Sequence, residues 1–148
     1  MKELVHHLIE EGLTISSCES FTVGNFGAQV GSIPGASKTY KGTLVTYQTC
    51  IKTDVLKVYK ELVERYGVVS HEVAYAMCKN GRELFNSDLC VSFTGNAGPE
   101  AMEDKPVGLV YLGINNRGTI HTYEYHLVGS RSSIQLQAIK KAIELLKK

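Results

Sequence analysis

The chain has almost no charge imbalance: 16 Lys and Arg stand against 15 Asp and Glu, a formal net charge of +1. So balanced a surface excludes non-specific binding of nucleic acid or of an anionic membrane by bulk attraction. Long hydrophobic runs are also missing. The N-terminal MKELVHHLIEEG is amphipathic and acidic where a signal peptide would be basic and then apolar, so neither a cleaved leader nor a membrane span is expected. The four cysteines, Cys18, Cys50, Cys78 and Cys90, include no C-x-x-C pair and have no histidine at ligand spacing. Reduced thiols in a cytoplasmic chain are expected rather than disulfides or zinc. Repeats, low-complexity tracts and linkers are absent, and 148 residues with 43% hydrophobic and 21% charged residues suit one globular domain over residues 1–148.

Apolar spacing at Leu4, Val5, Leu8 and Ile9, closed by Gly12, predicts a helix over 2–11, followed by a short strand over 13–17. A second helix is expected over 22–32, where Gly24 and Gly27 permit close backbone approach. YKGTLVTY (40–47) reads as a strand, 50–58 and 59–66 as short helical pieces. Ser70 should cap a longer helix whose buried stripe is Val73, Met77, Gly81, Leu84 and Phe85. DLCVSFT (88–94), apolar or small on both faces, reads as a central strand. A hairpin of 107–114 and 119–127 around NNRG should end near the sheet edge, before a final helix over 131–147. Early strand–helix alternation with a late hairpin predicts a three-layer α/β/α sandwich on a mixed, mostly parallel five-stranded sheet.

In such sheets ligands bind beyond the carboxyl ends of the strands. CESFT, YQTCIK and TGNAGP all fall there. Ser20 in CESFT is either the N-cap of the following helix or a nucleophile whose oxyanion the helix N–H groups would hold. A serine nucleophile needs a base, and none of His6, His7, His71, His121 and His126 is placed by the pattern near those strand ends. Lys52 is the alternative, either a neutral buried base or a solvated helix residue. TGNAGP has two glycines and free N–H groups suited to an anion but matches no nucleotide-binding signature. Arg131 in GSR is a phosphate clamp or simply faces water.

Together these segments resemble the CinA C-terminal domain family of the PncC type, along nearly the whole chain and in the family's order. Its A-E-S-C-T-G-G appears as SCESFTVG, its P-G-A-S as 34–37, its V-x-Y-S-N-x-x-K as VTYQTCIK and its G-A-V-S as 67–70. Its [ST]-G-I-A-G-P becomes TGNAGP, its K-P-V-G-x-V is KPVGLV and its G-[DN]-R is GSR. The resemblance implies hydrolysis of the carboxamide of nicotinamide mononucleotide to nicotinate mononucleotide and ammonia, with Ser20 as nucleophile and Lys52 as base. It places Thr22, Tyr47, Thr94, Gly95, Ala97, Gly98 and Arg131 around the substrate, and implies no metal, no cofactor and self-association. A catalytically silent pyridine-nucleotide-binding module of the same fold is the alternative. The chain departs from the family pattern at Val23 for glycine, Thr49 for asparagine, Asn96 for isoleucine and Ser130 for an acidic residue, and the turn after Pro99 is shortened.

Overall fold

A computed structural model of the chain describes residues 1–147. Helix α1 (Lys2–Glu10) leads into β1 (Ile15–Glu19), α2 (Asn25–Gly31), a short 3₁₀ turn (Ala36–Lys38) and β2 (Tyr40–Val45). A π-helical turn (Ile51–Val55), α3 (Lys60–Tyr66) and α4 (His71–Phe85) precede β3 (Leu89–Gly95), β4 (Leu109–Asn116), β5 (Thr119–His126) and α5 (Arg131–Leu146). The strands form one sheet in the order β2-β1-β3-β4-β5. β1 pairs in parallel with β2 and β3, while β4 is antiparallel to both its neighbours, so β4 alone runs against the rest. The mixed, mostly parallel five-stranded sheet expected from the element pattern is what forms.

Helices cover both faces, which makes the three layers. Leu89, Val91 and Phe93 of β3 and Val110, Leu112 and Ile114 of β4 share one core with α1, α2 and α5. Alternate positions, Cys90 of β3 and Leu109 and Tyr111 of β4, pack with α4 on the other face. Phe26 and Phe93 meet with ring centroids 5.4 Å apart, and both are fully buried. Each such side chain contributes about 1.5–3 kcal/mol of transfer free energy.

Two boundaries and one buried stripe differ from the periodicity. β1 lies two residues later than expected, because its polar letters are buried with partners: Ser16 Oγ bonds Ser87 Oγ at 2.7 Å, and Ser17 Oγ donates to Glu19 at 3.1 Å. α2 starts only at Asn25, after a turn. In α4, Val73, Met77 and Gly81 are buried as expected and Ser70 caps the helix through Val73 N–H, but Leu84 is 55% exposed and Phe85 only partly buried.

Candidate active site

Because β1, β2, β3 and β5 point the same way, the segments that follow them all emerge at one end of the sheet. Ser20 continues β1 from its central position between β2 and β3, and its N–H donates to the Phe93 carbonyl at 2.9 Å. Ser20 is not a helix cap. The residue before α2 is Gly24, and four residues of turn separate Ser20 from the helix.

The π-helical turn after β2 carries Lys52 inward. Such turns widen the helix by a residue and recur at functional sites; here the Leu56 N–H donates to the Ile51 carbonyl at 3.0 Å. Lys52 is 1% exposed, with Nζ 2.9 Å from Ser20 Oγ and 2.5 Å from the Thr46 carbonyl oxygen. Burial lowers its pKa from 10.5 to about 8, opposed by the Glu103 carboxylate. An ammonium that titrates so near neutrality supplies a populated free amine beside the hydroxyl.

Glu19, fully buried next to Ser20, fixes the start of α2 by accepting N–H bonds from Phe26 at 3.1 Å and Gly27 at 2.8 Å. The expected oxyanion donors at that helix terminus are thus already engaged. The N–H groups of Phe21 and Thr22, in the turn between, bond no group among the described residues. Gly27 lets α2 pack close to β2: a Cβ there would run into Thr43 Oγ1 and the Tyr40 hydroxyl, which would have to shift. Val23 occupies the left-handed region with φ 51° and is 51% exposed.

A cleft of about 120 Å³ opens beside Ser20, lined by Phe21, Tyr47, Gly95, Asn96, Ala97, Gly98, Glu100, Met102 and Arg131. Arg131 is not left to water alone: its guanidinium donates to the Gly98 carbonyl at 2.7 Å and to the Tyr47 hydroxyl at 3.0 Å. Of the residues named from the sequence, Ser20, Tyr47, Gly95, Ala97, Gly98 and Arg131 meet at this cleft, with Lys52 behind Ser20. Thr22 is buried beside it with its hydroxyl unpartnered. Thr94 turns away, donating to the Val68 carbonyl at 2.6 Å. His126 does end a strand at this end of the sheet, contrary to the pattern, but its Nε2 is held 2.8 Å from Glu124 and it does not line the cleft.

Glu103, unremarked in the sequence, anchors the long loop: its carboxylate accepts from Val68 N–H at 2.7 Å and Val69 N–H at 3.2 Å, and Lys105 Nζ lies 3.3 Å away. The charged residues Glu100, Glu103, Asp104 and Lys105 inside a loop otherwise rich in small residues were the available signal. The described residues contain no group of three or more His, Cys, Asp or Glu side chains able to hold a metal, and no helix long and apolar enough to cross a membrane.

A hydroxyl and a buried amine in hydrogen-bond contact at the carboxyl ends of parallel strands define an α/β/α protein with a serine–lysine pair at its cleft. The model of the CinA C-terminal domain matches residues 1–148, and the chain belongs to that family. It is 40% identical over 148 residues to a Bacillus subtilis protein described as competence-damage inducible, covering 100% of this chain and 36% of that one. A Listeria welshimeri protein of the same description is 38% identical over 141 residues, covering 95% and 34%. The chain thus spans about a third of the length of these relatives. A CinA superfamily structure from Escherichia coli superposes with a TM-score of 0.95 at 29% identity, over 98% of this chain and 85% of that one. One from Agrobacterium tumefaciens, a competence/damage inducible protein, gives 0.92 at 30% identity over 99% and 95%.

Proposed function

We propose that this domain is an amidohydrolase that converts nicotinamide mononucleotide into nicotinate mononucleotide and ammonia. The observation that supports this most is the 2.9 Å separation of Lys52 Nζ and Ser20 Oγ, with the lysine buried. Neutral Lys52 takes the Ser20 proton while Oγ attacks the carboxamide carbon, and the Phe21 and Thr22 N–H groups lie nearest in the chain to the developing oxyanion. The tetrahedral adduct collapses as Lys52 returns the proton to the departing nitrogen, releasing ammonia and leaving an ester on Ser20. Water, deprotonated by Lys52, then attacks the ester carbon, and Ser20 leaves with its proton restored. Arg131 at the cleft rim supplies the cation for the phosphate, braced by Tyr47 and Gly98.

The test is ammonia release from purified protein given nicotinamide mononucleotide, beside Ser20→Ala and Lys52→Ala. Multiple turnover that disappears in both variants is expected. Turnover that survives in both removes the pair from the mechanism, and ligand-induced thermal stabilisation without product identifies a silent binding module instead.

A further inference from the structure

The turn between Ser20 and α2 is pinned by its carbonyls. The Glu19 carbonyl accepts from Thr46 N–H at 2.8 Å, the Ser20 carbonyl from Val23 N–H at 3.2 Å and the Thr22 carbonyl from Asn25 N–H at 3.0 Å. The Phe21 carbonyl has no backbone partner among the described residues. It accepts instead from the Gln135 side-chain amide of α5, 2.6 Å away in space and 114 residues away in sequence. A carbonyl can only accept, so nitrogen is the end of that amide that faces it. Three of the four contacts are made by backbone, and the fourth hangs on one side chain. The peptide that carries the Phe21 carbonyl also carries the Thr22 N–H. It is planar and trans, so its N–H points opposite to its C=O, and holding one end holds the other. Neither the Phe21 nor the Thr22 N–H bonds any group among the described residues, although the two residues are only 3% and 1% exposed. Unpaired N–H groups in residues so buried are rare.

We propose that Gln135 is a positioning residue: by holding the Phe21 carbonyl it sets the direction of the Thr22 N–H and keeps the turn after Ser20 in one arrangement during the reaction. The inference rests on the hydrolase reading, which supplies the oxyanion those N–H groups would meet. Phe21 lines the cleft and Gln135 does not, so Gln135 acts only through the turn. Donors aimed at charge that develops in the transition state do little for the bound amide. The effect of Gln135 therefore falls on kcat and spares ground-state binding.

The experiment compares the unsubstituted protein with Gln135→Met, an unbranched chain of similar length without a donor, and with Gln135→Lys, which returns one. Ammonia release from nicotinamide mononucleotide gives kcat and KM, and calorimetric titration with nicotinate mononucleotide gives affinity for the bound ground state. In Gln135→Met, kcat should fall about ten- to hundredfold, up to the effect of removing one oxyanion donor outright, with KM and product affinity within about twofold of the parent. Gln135→Lys should recover part of that rate. A loss shared by kcat and affinity is what a merely structural brace would give, and it overturns the inference, as does an equal loss of kcat in both variants. No ammonia from the unsubstituted protein sinks the hydrolase reading and this role with it. Turnover by the unsubstituted protein with kcat untouched in Gln135→Met sinks this role alone.

Discussion

The two walls of the cleft are held in different ways. Ser20 extends a central strand, its N–H on Phe93 and the neighbouring Glu19 carboxylate buried against the start of α2. The opposite wall, from Gly95 to Lys105, is held largely by side chains: Glu103 on the Val68 and Val69 N–H groups, Lys105 on the Tyr66 and Val69 carbonyls, and the Asn96 amide on its own loop. A wall made of sheet and core changes only when the fold changes. A wall hung on a few side chains is re-tuned by single substitutions, and the departures from the family pattern at Asn96 and after Pro99 fall on it.

The largest effect belongs to the first wall. Ser20→Ala should lower kcat by on the order of 10³-fold or more, since nothing else supplies the nucleophile, while thermal unfolding stays within a few degrees of the parent. Glu19→Ala should cost about 3 kcal/mol in denaturant unfolding, because the Phe26 and Gly27 N–H groups lose their buried acceptor; a loss below about 1 kcal/mol would show that this wall is less rigidly built.

On the second wall the expected change is in tuning. In the proposed mechanism the base is neutral Lys52, so kcat/KM should rise with pH through an apparent pKa of about 8. The Glu103 carboxylate raises that pKa by favouring the ammonium, so Glu103→Gln should move the acid limb to lower pH, by about half a unit for a screened charge. An unmoved limb in a folded variant would separate the loop from the dyad. Lys52 also links pH to stability. Below about pH 8 it is charged in both states and its burial opposes folding; between about 8 and 10.5 the unfolded chain binds the extra proton, so this opposition fades as pH rises. The smallest effect is Val23→Gly, which should stabilise by about 1 kcal/mol by relieving a β-branched residue at φ 51° and leave kcat unchanged.

Ser20 and Lys52 were legible because their chemistry restricts the residue types and the fold restricts the place, the carboxyl ends of parallel strands. The sheet was legible for the same reason, since the apolar period of β3 and the alternation of β5 report how many faces are covered. The letters S-S-C-E hid the later register of β1, because their polarity is cancelled by partners outside the strand, the distant Ser87 for Ser16 and the N–H groups at the start of the next helix for Glu19. Glu103 stayed silent, and Asn96 showed only as a polar letter where the family pattern has isoleucine, because what matters about both is whom they touch. A helical reading of 50–58 placed Lys52 near the site but not inside it; the π-helical turn, which no spacing encodes, buries it.

Helix α5 reaches into the cleft from the far end of the chain. Arg131 grips the Gly98 carbonyl and the Tyr47 hydroxyl, and Gln135 donates to the Phe21 carbonyl at 2.6 Å, in the turn after Ser20. A ribosome makes this helix after every other element of the domain. Serine and lysine therefore exist on the growing chain well before their cleft is braced, and an unfinished chain carries the pair without the frame that the finished domain puts around it.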